Sequence, residues 1–149
     1  MTPLDDLNVL QVPRLLEEGK VVVLKKPKGR SMLPFIRGGV DSVSLRKPVD
    51  LKVGDIALAP IGMSYVVHRV IAIEGDKVTL MGDGNLQNTE HCDISNVLGV
   101  VDEIISPEGH HRKPGKAWLW RHLLPVREYL LKIYRKWHKL TGTWPYSSR

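Results

Sequence analysis

Short apolar runs separated by turn residues dominate residues 20–106 and constrain the fold more than any other feature of the sequence. Residues 20–26 contain three valines and a leucine in succession, which is typical of a buried strand. Residues 41–47 alternate apolar and polar side chains, with Val43 and Leu45 on one face, which predicts a half-buried strand. A chain built from such segments favours a sheet over a helical bundle.

Four further strands are predicted between residues 55 and 105. They cover residues 55–59, 63–73, 77–81 and 96–105, and Gly75-Asp76 is expected to close a hairpin. Short strands joined by turns, with little intervening helix, predict a mainly β domain with an antiparallel sheet over residues 20–106. The length of 149 residues suits one domain of this kind.

Helical segments are expected at both ends of this β domain. Leucines near helical spacing predict a short N-terminal helix over residues 3–18, within an N-terminal segment of residues 1–19, and Pro13 is expected to divide it. Residues 107–116 read as a basic flexible linker. Residues 117–149 then form a predicted basic amphipathic tail, in which Pro125 starts a second helix or kinks the first.

The predicted tail helix carries one apolar stripe with basic residues mostly off it. The stripe repeats at alternating spacings of four and three and comprises Leu119, Leu123, Val126, Leu130, Ile133, Trp137 and Leu140. Tryptophan and tyrosine residues accompany it. A basic amphipathic helix of this composition is typical of a membrane-surface element, and docking on the protein's own sheet or a homodimer contact are the alternatives.

Charge separates the tail from the rest of the chain. Residues 1–109 hold 12 Lys and Arg against 15 Asp and Glu, a net charge of −3, whereas residues 110–149 hold 10 against 1, a net charge of +9. The asymmetry indicates an anionic partner for the tail, which is a membrane surface, nucleic acid or an acidic protein, with the membrane surface first. Nucleic acid is disfavoured because no recognition module accompanies the charge.

The segment Gly29-Arg30-Ser31-Met32-Leu33-Pro34 presents a serine on a predicted non-helical turn at the end of a strand. Gly29 permits a sharp turn, and Pro34 restricts Leu33 to extended geometry. A serine hydroxyl becomes a nucleophile when a base lies within about 2.6–3.2 Å of it. The best candidate base is His68, because imidazole titrates near pH 6.5.

Four segments, in this order, resemble the type I signal peptidases and their LexA-like relatives. They are Gly29-x-Ser31-Met32-x-Pro34, Val53-Gly54-Asp55-Ile56, His68-Arg69-Val70-Ile71 with Gly75-Asp76, and Gly82-Asp83-Gly84-Asn85. Together they span about residues 20–105. His68 stands where bacterial signal peptidases carry lysine, which resembles the endoplasmic-reticulum, archaeal and SipW-like branch with a Ser-His pair. The resemblance implies a coiled, partly barrel-like antiparallel sheet.

The same resemblance implies a serine endopeptidase that cuts an extended precursor after small residues at the first and third positions before the bond. Ser31 is then the nucleophile and His68 the base. The carboxylate that orients His68 is expected to be Asp83, with Glu90 second and Asp93 third. The Ser31 N–H is the expected oxyanion donor, and Gly29 stands where some relatives supply a serine hydroxyl.

A non-catalytic peptide-binding or membrane-adaptor module on the same fold is the alternative function. Neither reading requires a cofactor or a metal, since the adjacent His91 and Cys92 lack a second pair of ligands. No apolar run approaches the ~18 residues of a membrane span. We therefore expect a short form without the N-terminal membrane anchor of the signal peptidases, in the cytoplasm or peripheral at the cytoplasmic face of the membrane.

Overall fold

A computed structural model describes residues 2–4, 9–85 and 87–142 of the chain. Within these residues the backbone forms nine strands and three α-helices. The strands are β1 (Thr2–Leu4), β2 (Val22–Leu24), β3 (Ser42–Arg46), β4 (Ile56–Ile61), β5 (Ser64–Glu74), β6 (Lys77–Met81), β7 (Glu90–Asp93), β8 (Gly99–Ile105) and β9 (His111–Arg112). The helices are α1 (Val12–Glu17), α2 (Trp118–His122) and α3 (Leu124–Thr141), and single 3-10 turns cover Val9–Gln11 and Ile94–Asn96.

All nine strands belong to one sheet, in the order β1-β2-β3-β8-β4-β5-β6-β7, with β9 added beside β8. Every pairing is antiparallel except that of β1 with β2. The prediction of a mainly β fold with short helices and a C-terminal helix is confirmed. Each of the six predicted strands is present, because the apolar runs that marked them are buried in the sheet.

Two apolar clusters hold the sheet together. The first packs Val12 and Leu16 of α1 against Val22, Val43 and Ile104 of the sheet. The second lies across β4, β5, β6 and β8 and includes Ala57, Val70, Val78, Leu80 and Val100. Met32, which follows Ser31, belongs to the first cluster. The turn that carries Ser31 is therefore anchored in the core by its neighbouring side chain.

The N-terminal segment differs from the predicted helix over residues 3–18. Thr2–Leu4 is a strand that pairs in parallel with Val22–Leu24, and the α-helix covers only Val12–Glu17. Pro13 lies in the first turn of that helix, where its missing N–H leaves no intrahelical bond unmade, so it begins the helix rather than dividing it. Residues 5–8 of the predicted helix lie outside the described residues.

The segment 107–116 is tied to the sheet, in contrast to the flexible linker that was predicted. His111–Arg112 pairs with the end of β8, and the Gly115 carbonyl accepts a hydrogen bond of 2.8 Å from Arg69. Lys116 forms an ion pair with the buried Asp55. The predicted tail is helical over Trp118–His122 and Leu124–Thr141, and its residues 143–149 lie outside the described residues. Pro125 lies in the first turn of α3. No described helix is long and apolar enough to cross a membrane.

Candidate active site

Ser31 lies on the turn that connects β2 to β3. Leu33 N–H donates to the Arg30 carbonyl and Phe35 N–H to the Met32 carbonyl, so the chain reverses in tight turns and forms no helix across the serine. Met32 and Leu33 are buried beneath the turn, whereas Ser31 is half-buried. The hydroxyl is therefore held on a fixed backbone at the protein surface.

His68 lies in the middle of β5, and its side chain reaches Ser31. The His68 Nε2 and the Ser31 Oγ are 2.8 Å apart, which is a hydrogen bond. His68 is buried, and the strand partner directly opposite it is Ala57, whose small side chain adds little bulk beside the ring. The structure thus brings together the two residues that the sequence named as nucleophile and base.

Glu90, at the start of β7, holds the other nitrogen of the ring. Its Oε2 lies 2.8 Å from the His68 Nδ1. A carboxylate oxygen accepts hydrogen bonds, so the Nδ1 carries the proton and the Nε2 is free to accept the proton of Ser31. Glu90 was the second of the three predicted carboxylates. The third, Asp93, lies at the far end of β7 and pairs with Lys77.

Asp83, the first predicted carboxylate, faces Arg69 and not His68. Arg69 Nε and Nη2 donate to the two carboxylate oxygens of Asp83 at 3.1 and 2.6 Å, and both side chains are fully buried. Arg69 Nη1 also donates to the Gly54 and Gly115 carbonyls. Because neighbouring residues of a strand point to opposite faces, Arg69 draws Asp83 to the face away from His68. Asp83 is therefore placed as a structural ion-pair partner.

The loop Gly82-Asp83-Gly84-Asn85 supports the Ser31 turn through its backbone. Gly84 N–H donates to the Ser31 carbonyl at 2.7 Å. A Cβ on Gly82 would lie inside van der Waals distance of the Ser31 carbonyl and 2.9 Å from the Ser31 Cβ. A Cβ on Gly84 would lie 2.6 Å from the Arg30 carbonyl. Glycine at these two positions is what allows the loop and the Ser31 turn to touch.

The backbone at Ser31 offers one donor for a developing negative charge. The Ser31 N–H makes no hydrogen bond to any described residue, so it is available to an incoming carbonyl oxygen. Gly29, two residues earlier, has no side chain to add a second donor. The expectation that the Ser31 N–H serves this purpose stays a prediction.

A cleft of about 540 Å³ opens beside Ser31 and His68. Its floor is apolar and includes Leu24, Met32, Ile36 and Leu58. One wall is the segment Ser64–His68 of β5. That segment pairs with β4 on one side, whereas β6 pairs with β5 only from Arg69 onward. Among the described strands nothing covers its second edge, so backbone groups that lead towards His68 are open to an extended peptide.

Another part of the cleft lining is basic, and we call it the basic wall. It includes Lys25, Lys26 and Lys28, all exposed, and none of the described residues that line the cleft is acidic. None of the three lysines forms an ion pair with another described residue. The wall therefore presents three positive charges to whatever enters the cleft, next to an apolar floor.

Cys92 lies two residues after Glu90 in β7 and is the chain's single cysteine. Burial raises the pKa of the Cys92 thiol, which keeps it protonated at neutral pH. A protonated thiol is a poor nucleophile. Ser31, by contrast, has a base within hydrogen-bond distance of its hydroxyl, and this contact makes Ser31 the candidate nucleophile.

No protein-family model matches the chain, and no curated protein matches it. The geometry of the site therefore carries the functional inference. A serine hydroxyl, an imidazole and a carboxylate in hydrogen-bonded sequence form a proton-transfer chain of the kind used in nucleophilic catalysis. Sequence reasoning ranked Glu90 below Asp83. The strand pairing of the structure explains the difference: Glu90 stands opposite Leu80, which in turn stands opposite Val70 on the His68 face of β5.

Proposed function

We propose that the chain is a serine endopeptidase in which Ser31 is the nucleophile, His68 the general base and Glu90 the residue that orients His68. The observation that carries the proposal is the continuous contact from Ser31 Oγ to His68 Nε2 and from His68 Nδ1 to Glu90 Oε2, at 2.8 Å each. The resemblance of residues 20–105 to Ser-His signal peptidases supports the same reaction class.

The first half of the reaction transfers the acyl part of the substrate to Ser31. The Ser31 Oγ forms a bond to the carbonyl carbon of the peptide while its proton moves to the His68 Nε2. The oxyanion that results lies within reach of the Ser31 N–H. The carbon–nitrogen bond then breaks, and the His68 Nε2 returns its proton to the leaving amine. Glu90 stabilises the imidazolium that exists between these two proton transfers.

The second half releases the acyl group with water. His68 takes a proton from the water molecule, the water oxygen bonds to the acyl carbon, and the bond to the Ser31 Oγ breaks as the oxygen regains a proton from the Nε2. The products are a carboxylic acid and the restored hydroxyl. The peptide and one water molecule are the only reactants, and His68 accepts the proton of the attacking hydroxyl or water in both halves.

The cleft supports an extended peptide as substrate. A strand laid along the open edge of Ser64–His68 can form backbone hydrogen bonds there and carry its scissile carbonyl to Ser31. The apolar floor suits uncharged side chains, and the resemblance implies small ones before the bond. The wall of Lys25, Lys26 and Lys28 favours acidic side chains on the part of the peptide that crosses it.

Digestion of a peptide library, read by mass spectrometry, tests the proposal. We expect cuts with the wild-type protein and none with Ser31→Ala or His68→Ala. Ser95→Ala is the matched control for the serine, because Ser95 is exposed and lies outside the cleft, and His91→Ala is the control for the histidine, because His91 is exposed on β7. Both control variants should cut as the wild type does.

A covalent probe gives a second reading that is independent of the substrate. A fluorophosphonate should label Ser31 in the wild type, identified by the mass of its tryptic peptide, and labelling should fall in His68→Ala. Far-ultraviolet circular dichroism of each variant checks the fold. Cuts that persist in folded Ser31→Ala would overturn the assignment. A complete absence of cutting and labelling in the wild type would favour the non-catalytic peptide-binding reading.

A further inference from the structure

The C-terminal helix α3 is fixed to the body of the protein along one row of side chains. This docked row consists of Arg127, Leu131, Tyr134 and His138, which succeed one another at spacings of four, three and four. Leu131 is 3% exposed and Arg127 2% exposed, and the other two are half-buried. Residues at these spacings share one side of a helix, so α3 has one defined docking face.

Polar contacts fasten this face to the loop behind Ser31. The Arg127 Nε donates to the Trp120 carbonyl at 3.0 Å, and its guanidinium lies over the Trp120 ring. Trp120 Nε1 in turn donates to the Asp83 carbonyl at 2.8 Å. Burial lowers the pKa of the Arg127 guanidinium from its high usual value. The orientation of α3 about its own axis is thus held by contacts on two neighbouring segments.

The apolar stripe predicted from the sequence is not the docking face. On α3 it runs through Val126, Leu130, Ile133, Trp137 and Leu140, which are 38–76% exposed. Tyr129 beside it is exposed, and so are Trp118 and Leu119 of α2. An exposed set of this size on adjoining helices is more than scattered surface residues, and it indicates an interaction surface.

A row of lysines borders the stripe on the side away from the docked row. Lys132, Lys136 and Lys139 succeed one another at spacings of four and three, and all three are exposed. At 3.6 residues per turn the three rows follow in order around the helix: docked row, apolar stripe, lysine row. Glu128 is the sole acidic residue in 110–149 and pairs with Lys132.

We propose that the apolar stripe of α3, with its lysine row, binds the surface of an anionic lipid bilayer. The exposed leucine, isoleucine and valine side chains suit the acyl boundary, Trp137 and Tyr129 suit the headgroup level, and the lysines suit anionic headgroups. A phosphodiester backbone would engage the lysines but leave the apolar stripe in water. Charge complementarity and apolar area therefore point to the same partner.

A second copy of the chain fits the stripe less well. Two copies packed through their stripes would bring both lysine rows to the rim of one interface. The single carboxylate of Glu128 in each copy cannot balance the three lysines of each row. Repulsion between the rims opposes such a dimer, whereas an anionic bilayer neutralises the same charges.

Flotation of the full chain with vesicles tests the proposal without reference to catalysis. We expect the protein to float with vesicles of phosphatidylcholine that contain phosphatidylglycerol. With vesicles of phosphatidylcholine alone it should remain at the bottom of the density gradient. Added salt should weaken the association. The triple variant Lys132→Gln/Lys136→Gln/Lys139→Gln should lower the partition coefficient about a hundredfold, since each basic side chain near the surface contributes about fivefold.

The apolar side is tested by Ile133→Ser/Trp137→Ser, which should abolish flotation while circular dichroism stays unchanged. Val49→Ser/Met63→Ser is the matched control, because Val49 and Met63 are also exposed apolar residues, at 61% and 104%, and lie outside the tail. Lys20→Gln/Lys52→Gln/Lys77→Gln is the control for the lysine-row variant, because it removes the same number of positive charges outside the tail. Both controls, and Ser31→Ala, should float as the wild type does.

Three results would overturn the proposal. One is equal flotation of the wild type and the stripe variant. Another is a dimer, seen by light scattering without lipid, that Ile133→Ser/Trp137→Ser dissociates. The third is binding of the wild type to duplex DNA at salt concentrations that release it from vesicles.

Discussion

The Ser31 Oγ and the His68 Nε2 lie 2.8 Å apart although 37 residues separate them in the chain. Ser31 follows β2, and His68 lies in β5, with β3, β8 and β4 between these two strands in the sheet. In a flat sheet, four strand spacings would separate them by roughly 19 Å. The curl of the sheet and the segment that leads from Leu24 at the end of β2 to Ser31 together close that distance.

The carboxylate of Glu90 is expected to act on catalysis through His68. Glu90→Gln keeps the shape of the side chain but removes the charge, and we expect kcat to fall by about two to four orders of magnitude with little change in KM. Steady-state kinetics on a peptide from the library digest measures the two constants separately.

Asp93→Asn is the control for Glu90, because Asp93 lies on the same strand and pairs with the exposed Lys77. It should leave kcat unchanged. Wild-type kcat in Glu90→Gln would contradict the orienting role, and so would an equal loss in both variants.

The buried pair of Arg69 and Asp83 is expected to support the fold. Asp83→Ala leaves the guanidinium of Arg69 buried without its carboxylate, so the free energy of unfolding should fall by about 3–5 kcal/mol. Urea denaturation followed by tryptophan fluorescence measures it. The double variant Arg69→Met/Asp83→Leu, which removes both charges, should recover much of the loss.

The exposed pair of Lys77 and Asp93 provides the comparison for this ion pair. Asp93→Ala should change the free energy of unfolding by about 0–1 kcal/mol, because water screens exposed charges. If Asp83→Ala were stable but inactive, Asp83 would belong to the chemistry, and its role in the ion pair would be secondary.

Gly82 is expected to be intolerant of any side chain. In Gly82→Ala the new methyl group meets the Ser31 carbonyl and Cβ, so the Ser31 turn must shift. We expect a loss of about 1–3 kcal/mol in stability together with reduced kcat, measured by denaturation and by peptide cleavage. Gly75→Asn, at an open hairpin turn of left-handed backbone that asparagine tolerates, should be close to wild type in both.

The basic wall of the cleft is expected to select acidic peptides. Lys25→Glu/Lys28→Glu reverses two charges there, and kcat/KM should fall for peptides with acidic residues beside the scissile bond and rise for their lysine counterparts. Lys52→Glu, an exposed lysine outside the cleft, should alter neither value. Identical peptide preferences in the cleft variant and the wild type would show that the charge of these lysines does not determine the specificity.

Local patterns in the sequence predicted much of the fold. The apolar runs at 20–26 and 63–73 became β2 and β5, because burial of β-branched side chains in a sheet is a local preference. Pro125 predicted the start of α3 through its fixed backbone angle and missing N–H. The strands β1, β7 and β9 were not predicted, since each is short and depends on pairing with a distant partner.

The candidate site was predicted only in part, because some of its contacts depend on distant strand pairing. Ser31 and His68 could be named from the chemistry of their side chains and their local setting. Asp83 was preferred over Glu90 for the His68 contact, but the choice depends on which face of β5 each carboxylate reaches. Arg69 holds Asp83 on one face, and the pairing of β7 with β6 places Glu90 on the other.

The sequence by itself determined six of the nine described strands, the turn that presents Ser31 and the amphipathic character of the tail, because each depends on residues close together in the chain. Only the tertiary structure decided which carboxylate reaches His68 and which side of α3 faces the protein. Those outcomes depend on contacts between Glu90 and His68 and between Trp120 and Asp83. These residues are distant in the chain, so the contacts form and contribute to stability only when the sheet has folded.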